Sequence, residues 1–435
     1  MFYRIIFLIL IVALFQNCRK SDYLLEDSEN IIMDDGSGTG TVTWTKNNEY
    51  LLEGFVFVND GQTLTIEPGT VIKFMPGQGE NASALIVSRG AKIIANGSVD
   101  EPIIFTSEND DLIGSVALNE RGLWGGLIIL GNAPINIEGG EASIEGIPIA
   151  EPRGIYGGID ERDNSGVLRY VSIRHGGTNI GDGNEINGLT LGGVGNETII
   201  DYVEVLSNDD DGVEIFGGTV NLKHIVVSGC TDDAFDYDLG WTGNGQFWLG
   251  LQSVNLGDNI LEAGGGVEPV DGTPYSIPNI YNATFIGNSN SGEGACINFS
   301  NNAGGIIANS IILNKNNGVF LEVTDSQHDS YNQWKIGNLD IRSNVFHEVA
   351  SSAASIFKLT GIHTDEQQNE WTNYFNTGKN EIFNPDINWQ ENIFIPAQKI
   401  QGEMDEYPLS WFQIVDFKGA FGESNWVEGW TLLTK

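Results

Sequence analysis

Short segments in which apolar and polar residues alternate recur along most of the chain. In its central part they include YVEVL (202–206), GVEIF (212–216) and HIVVS (224–228), with Gly, Asn and Asp between them. Alternation with a period of two is typical of strands, and turn-forming residues at their ends indicate tight corners. No amphipathic helical pattern lies between these segments, so the sequence predicts an all-β protein.

The pattern repeats with an offset of 22 residues. SNDDDGVEI (207–215) aligns with GCTDDAFDY (229–237), and the same offset carries Val203 onto Ile225 and then onto Phe247. Strands at this spacing without a crossover helix do not fit a doubly wound sheet, but they suit a parallel β-helix, whose coils stack about 4.8 Å apart. We therefore predict a solenoid with coils of about 22 residues, in which Val203, Ile225 and Phe247 stack inside the core.

The solenoid is predicted over residues 41–350. Two excursions interrupt its period, the first formed by 108–123 together with 131–165 and the second by 256–280. Residues 351–435 are aromatic-rich and mostly aperiodic, which suits a cap over the last hydrophobic coil. One helix is predicted in this cap region, with a capping box formed by Thr364 and Gln367 and an end at Gly378.

The first 18 residues read MFYRIIFLILIVALFQNC. The apolar run after Arg4 is shorter than the roughly 20 residues that span a bilayer, and its proportions are those of a secretory signal. The cysteine that follows the run resembles a bacterial lipobox. This resemblance implies a signal peptide over 1–17, lipidation of Cys18 and a polar, acidic tether over 18–40; the alternative is an ordinary signal peptide that happens to carry a cysteine.

Three separated blocks resemble one family of proteins. They are GQTLTIEPGTVIKF (61–74), GLTLGGVG (188–195) with the acidic block after it, and DFKGAFGESNWVEGWT (416–431). They are similar to cell-surface lipoproteins of Bacteroidota with a right-handed parallel β-helix, a pectin-lyase-like solenoid. The resemblance implies a right-handed coil and an outer-membrane location in a Gram-negative bacterium, but it implies no activity, since the molecular function of that family is undefined.

The charge balance excludes one class of partner. There are 59 Asp and Glu residues against 21 Lys and Arg residues, so the formal net charge is −38. A surface this acidic repels phosphate backbones, and nucleic-acid binding is excluded. Besides Cys18, the chain has only Cys230 and Cys296, which either pair as a single disulfide or remain as buried thiols.

Part of the acidic charge lies at the repeated corners. Residues 209–211 precede residues 231–233 by one period, and Glu214 precedes Asp236 by the same distance. Stacked carboxylates repel each other unless a cation or hydrogen bonds intervene, and calcium takes six to eight oxygen ligands. The alternative is a corner ladder of Asp and Asn side chains that accept hydrogen bonds from backbone N–H groups. The candidate calcium ligands are Asp209, Asp210, Asp211, Asp232 and Asp233.

The same block also resembles the aspartate arrangement of polygalacturonases, which are β-helical glycoside hydrolases. The resemblance implies an inverting catalytic set of Asp211, Asp232 and Asp233. The Gly-His-Gly and Arg-x-Lys elements of that family are missing, however, and the next coil reads GNGQFWLGL (243–251). A pectate-lyase mechanism lacks its basic residue, because Lys223 is the only Lys or Arg between Arg174 and Lys315.

Two further sets of residues are candidates for binding. His175 and His224 lie on predicted strands without a spaced Cys or His partner, so we expect them to be structural or to face solvent. Aromatic side chains could stack on a neutral sugar, although at strand positions they are more often part of a core or cap. The aromatic candidates are Phe216, Tyr237, Trp241 and Trp248.

These observations predict a lipid-anchored cell-envelope protein that serves as a non-catalytic binding or structural module, with carbohydrate as the candidate ligand and calcium as the candidate cofactor. The alternative is a polysaccharide-active glycoside hydrolase that uses the stacked aspartates.

Overall fold

The computed structural model describes residues 31–181, 184–266, 268–289, 294–404 and 407–435. The predicted signal peptide (1–17), the lipidation site Cys18 and most of the predicted tether lie outside these residues. Within the described ranges, no helix has the length and apolar character needed to span a membrane.

The described strands are short, and almost all of them pair in parallel. In chain order they are β1 (Ile31–Met33), β2 (Val42–Trp44), β3 (Tyr50–Glu53), β4 (Phe55–Val58), β5 (Thr63–Ile66), β6 (Val71–Phe74), β7 (Ala84–Val87), β8 (Lys92–Asn96), β9 (Ile103–Ser107), β10 (Leu127–Leu130), β11 (Ala142–Ser143), β12 (Ile155–Tyr156), β13 (Gly166–Arg174), β14 (Thr178–Gly181), β15 (Asn184–Ile186), β16 (Leu189–Gly192), β17 (Ile199–Leu206), β18 (Val213–Phe216), β19 (Asn221–Ser228), β20 (Phe235–Asp238), β21 (Asn244–Leu251), β22 (Leu261–Ala263), β23 (Asn279–Tyr281), β24 (Thr284–Ile286), β25 (Ile297–Phe299), β26 (Gly305–Ala308), β27 (Ile311–Lys315), β28 (Val319–Val323), β29 (Leu339–Arg342), β30 (Val345–Val349), β31 (Phe357–Gly361) and β32 (Glu381–Ile382).

The parallel pairings form three ladders, one for each side of a coil. The first ladder runs β2–β5–β8–β13–β17–β19–β21–β23–β26–β29, and the second runs β1–β3–β6–β9–β13–β17–β19–β21–β24–β27–β30–β32. The third runs β4–β7–β10–β16–β18–β20–β22–β25–β28–β31. The predicted all-β parallel β-helix is therefore confirmed. Parallel pairing extends from β1 to β32, past both predicted limits of the solenoid at 41 and 350.

Four middle strands, β13, β17, β19 and β21, contribute to the first two ladders at once. Each turns the corner at a residue with positive φ: Tyr170, Tyr202, His224 and Phe247 have φ between 49° and 60°. Such a left-handed residue bends a strand without ending it and leaves the corner side chain on the outside.

The 22-residue register is confirmed from β17 to β19, where Val203 pairs with Ile225, and from β18 to β20. The predicted continuation to Phe247 is wrong, because Ile225 pairs with Trp248 instead. The corner before β21 contains one additional residue, so the offset between β19 and β21 is 23 residues and the expected inward and outward positions of Phe247 and Trp248 are exchanged. Trp248 thus enters the core, where its ring centroid lies 4.5 Å from that of Phe235, and Phe247 points outwards.

The excursions leave the solenoid on its outer side. The antiparallel hairpin of β11 and β12 lies in the predicted 131–165 excursion, and its Ile144 and Tyr156 pack with Ile86 and Ile128 on the outside of the third ladder. The second predicted excursion, 256–280, is wrong in part, because β22 and the first residues of β23 continue the ladders.

The described helices are α1 (Ser330–Lys335), α2 (Ala353–Ile356) and α3 (Asp365–Thr377), with 3-10 turns at Gly79–Asn81, Pro152–Gly154 and Trp389–Glu391. The predicted capping box starts α3, since Thr364 and Gln367 make both reciprocal bonds, and Gly378 is its C-cap. Trp371 and Phe375 of α3 pack on Phe357, at the last strand of the third ladder.

The chain beyond α3 does not stay at that end of the solenoid. The Ala420 amide donates to Thr284 Oγ1 at 2.9 Å, and Trp426 lies edge-on to His224 at 5.1 Å between ring centroids. The last residues reach Glu204 on β17. The C-terminal segment (394–404 and 407–435) therefore runs back along the outward face of the second ladder and covers its aromatic corners.

Candidate functional site

The predicted acidic corner precedes the strands of the third ladder. Asp211 Oδ1 accepts a hydrogen bond from the Asp233 amide at 2.8 Å, and Asp233 Oδ1 accepts one from the Asn259 amide at 2.5 Å. Asn259 Oδ1 in turn accepts from the Ala295 amide at 2.9 Å. Each side chain thus holds the backbone of the next coil, as in the predicted corner ladder. Both carboxylates are largely buried, with 8% of Asp211 and 2% of Asp233 exposed.

The other predicted calcium ligands lie on the solvent side of this corner. The Thr231 hydroxyl accepts a hydrogen bond from the Asp210 amide at 2.6 Å and lies 3.3 Å from Asp209 Oδ1. Asp232 is exposed. Carboxylate oxygens of Asp210, Asp211 and Asp232 lie within 4.8 Å of one another. Burial and neighbouring carboxylates raise the pKa of Asp210 to about 8.

A second row of carboxylates lies on the strands themselves. Glu214 of β18 pairs with Asp236 of β20, which pairs with Glu262 of β22. Because these residues occupy one register position on successive coils, their side chains leave the same face of the sheet, and that face is the outer one. We call Glu214, Asp236 and Glu262 the carboxylate row. The sequence offset found the first pair; Glu262 escaped it because the next coil is longer.

The first excursion closes over one end of the carboxylate row. The Glu145 carboxyl group hydrogen-bonds with that of Glu214, and the buried amide of Asn187 donates to both. Burial raises the pKa of Glu145 to about 7. The pKa values of Glu214 and Asp236 are also raised well above the ordinary carboxyl value, first by burial and then by acidic neighbours. Two carboxyl groups in hydrogen-bond contact need a shared proton or a cation between them.

The aromatic candidates do not form a binding surface. Tyr237, Trp241 and Trp248 are each at most 1% exposed in the core, where the indole Nε1 of Trp241 donates to the Val220 carbonyl at 3.0 Å. Phe216 is half-buried beside Tyr156 of the first excursion. A buried ring has no face available to a sugar, so these positions serve packing.

Sequence reasoning missed an outward ladder of stacked rings at the corner shared by β13, β17, β19 and β21. The ring centroids of Tyr170 and Tyr202 are 4.4 Å apart, those of Tyr202 and His224 4.2 Å, and those of His224 and Phe247 5.0 Å. The 22-residue offset between Tyr202 and His224 is the signal that could have revealed it. Because each ring stacks on the next and Trp426 covers their edges, this ladder supports the C-terminal segment.

The two histidines are both held by hydrogen bonds. His224 Nδ1 lies 2.8 Å from Asp201 Oδ1, and His175 Nδ1 lies 2.6 Å from the Glu120 carbonyl oxygen. In the described part of the chain, the groups of side chains close enough to share a metal ion consist of Asp and Glu alone.

A polar depression of about 530 Å³ lies near the C-terminal end of the third ladder. Its exposed lining includes Asn316, Ser351 and Lys358, and the Lys358 ammonium lies 5.1 Å from the ring centroid of Phe320 on the neighbouring strand. Its amide, hydroxyl and ammonium groups can each form hydrogen bonds with a polar ligand.

Comparison with known proteins gives one match. A family model described as a pectate-lyase like beta helix domain matches residues 36–393. No curated protein and no solved structure matches the chain.

Proposed function

The chain belongs to the pectate-lyase-like β-helix domain family, and on that premise we propose that it is a carbohydrate-binding module of the cell envelope that does not cleave its ligand. The family supports a role connected with carbohydrate. The proposal that this role is binding rests on one observation, which is the use of Asp211 and Asp233 as acceptors for backbone amides of the next coil.

Inverting hydrolysis needs one carboxylic acid at the leaving group and one carboxylate at a water, both in contact with substrate. Asp211 and Asp233 are buried and already hydrogen-bonded, which leaves Asp232 as the exposed member of the alternative catalytic set. A single exposed carboxylate cannot serve both roles. The geometry therefore argues against hydrolysis by this set of aspartates and supports binding of a glycan without cleavage.

The depression around Lys358 is the proposed contact region. Its exposed amide and hydroxyl groups can hydrogen-bond sugar hydroxyls, and Lys358 supplies a positive charge on a strongly acidic chain. This chemistry suits a neutral or weakly anionic glycan.

We also propose that the chain is a Bacteroidota-type lipoprotein, anchored through Cys18 to the outer membrane of a Gram-negative bacterium. The lipobox-like start supports this proposal. Fatty-acid labelling of wild type and Cys18→Ser, followed by membrane fractionation, tests it: loss of both label and membrane association in the variant is expected. Equal membrane association of the two proteins would contradict it.

A polysaccharide array that measures both retention and reducing-end release tests the binding function. We expect retention without release, weakened by Lys358→Ala but not by Lys46→Ala, which removes an exposed lysine paired with Glu101 at a distant site. Release of reducing ends that disappears in Asp232→Asn would overturn the proposal in favour of a glycoside hydrolase.

A further inference from the structure

The outward face of the first ladder carries a row of apolar side chains. Ile94 of β8 pairs with Val167 of β13, which in turn pairs with Ile199 of β17. The residues that follow on β13 and β17, Leu168 and Ile200, are buried in the core, so the side chains of this row leave the outer face of the sheet. Ile199 is 45% exposed, and the other two are half-buried. We call Ile94, Val167 and Ile199 the apolar row.

The C-terminal segment extends this apolar surface. Lys223 and Gln246 are paired outward residues of β19 and β21 on the same face. Lys223 Nζ donates to the Trp411 carbonyl at 3.1 Å, and Gln246 exchanges hydrogen bonds of 2.7 and 2.9 Å with the main chain of the residue before Ile414. The turn that contains Trp411 therefore lies on the first ladder. It presents Leu409, which is 51% exposed, and Ile414 follows it at 62%.

Basic side chains border the apolar surface. Lys92, Arg169 and Lys223 leave the same face of β8, β13 and β19 as the apolar row. Asp201 lies between Arg169 and Lys223 in the register, but it is ion-paired with Arg169 at 3.4 Å and hydrogen-bonded to His224 at 2.8 Å. Apolar side chains bordered by basic ones fit a bilayer surface, which offers an apolar interior beneath anionic headgroups.

The predicted lipid anchor brings this face within reach of a membrane. Residues 19–30 separate Cys18 from β1, and an extended chain of that length spans at most about 45 Å. Strand β17 lies five coils from β1 along the second ladder, which is about 24 Å at about 4.8 Å per coil. An anchor on Cys18 can therefore hold the solenoid lengthwise against the bilayer. The tether also raises the effective concentration of the face at the membrane, so weak contacts suffice.

We propose that the apolar row, together with Leu409, Trp411 and Ile414, binds the surface of an anionic lipid bilayer. The inference rests on the proposed lipid anchor. A second copy of the chain presents the same basic side chains, and like charges disfavour that pairing, whereas anionic headgroups offer the opposite charge. Charges more than about 8 Å away are largely screened at physiological salt, so the acidic surfaces elsewhere count less than the basic side chains at this face.

Membrane binding through the first ladder has a consequence for the proposed function. The depression around Lys358 lies on the third ladder, a different side of the coil. The solenoid would therefore lie along the membrane with its proposed glycan-contact region accessible from the solvent.

Vesicle co-sedimentation tests the proposal with the mature chain carrying Cys18→Ser, so that no lipid modification contributes. We expect binding to vesicles of phosphatidylethanolamine and phosphatidylglycerol that weakens with added salt. Leu409→Ser combined with Ile414→Ser should weaken binding at least about tenfold, because two apolar side chains no longer gain from leaving water. The matched control is Ile113→Ser with Ile149→Ser, which removes isoleucines that are 90% and 87% exposed on the first excursion.

A second variant guards against a folding defect. Ile199→Ser changes one exposed side chain on the sheet itself and should also weaken binding, with an unchanged melting temperature. Absence of wild-type binding, or equal weakening by the control pair, would overturn the proposal. So would a wild-type dimer in light scattering that Leu409→Ser with Ile414→Ser converts to a monomer, since the face would then bind a second copy. Fatty-acid labelling of Cys18 tests the anchor separately, so failure of the anchor is distinguishable from failure of this face to bind lipid.

Discussion

Removal of Glu204 should release the C-terminal segment from the solenoid. The Glu204 carboxylate is fully buried on β17 and accepts hydrogen bonds from the amides of Leu432 and Leu433, each at 2.9 Å, and from Ser172 Oγ at 2.5 Å. Burial lowers the pKa of the Arg174 guanidinium, and the Glu204 charge is the larger of the two acidic charges that oppose this effect. Glu204→Ala therefore leaves three hydrogen-bond donors without their acceptor and removes an acidic charge that acts on Arg174. Each buried donor left unsatisfied costs about 1–3 kcal/mol, so we expect a loss of at least about 3 kcal/mol in the free energy of unfolding.

Denaturant unfolding measures that loss, and hydrogen exchange of the C-terminal peptide locates it. Exchange at Leu432 and Leu433 should become faster in Glu204→Ala, whereas Glu204→Gln, which retains an acceptor oxygen, should show a smaller effect. Glu197→Ala is the control, because its ion pair with Arg162 is exposed to solvent and contributes little to stability. Unchanged protection of the C-terminal peptide, or a destabilisation no larger than that of Glu197→Ala, would refute the reasoning.

Burial lowers the pKa of His175 below its ordinary value of 6.5, so the unfolded state binds the proton more readily and His175 destabilises the folded state as the pH falls below 6.5. The difference in unfolding free energy between wild type and His175→Asn should therefore shrink between pH 7 and pH 5. A difference that grows over this range in denaturation curves would contradict the expectation. Cys230 and Cys296 are buried, unpaired thiols whose pKa values are raised by burial, so a thiol reagent should label both only after denaturation, and labelling in the native state would count against their burial. Thr364→Ala removes the N-cap of α3 and should cost about 1 kcal/mol in chemical denaturation, whereas no loss would show that the cap is redundant.

The fold was predictable because neighbouring coils in a solenoid are related by a short offset in the chain. The pairs Val203 with Ile225 and Val213 with Phe235 keep that offset, so alternation and spacing suffice to align them. The prediction failed at Phe247 because the corner before β21 contains one additional residue, so the 22-residue offset assigned to Phe247 the inward position that Trp248 occupies.

The candidate site was predictable only where it follows the same offset. The stacking of Asp211 on Asp233 and of Glu214 on Asp236 came from the repeat. The contribution of Glu145 could not be predicted from the repeat, because Glu145 belongs to an excursion whose path is set by packing on the outside of the sheet. Contacts of this kind join segments of unrelated spacing, and periodicity carries no information about them.

One register position of the third ladder explains why the acidic residues became buried. Along successive coils it holds Ile86, Ile128, Thr190, Glu214 and Asp236. The apolar end of this row needs cover, and the first excursion supplies it by packing there. An excursion wide enough to cover the isoleucines also reaches the adjoining carboxylates and removes them from water. Their negative charge must then be neutralised locally, by shared protons or by a cation.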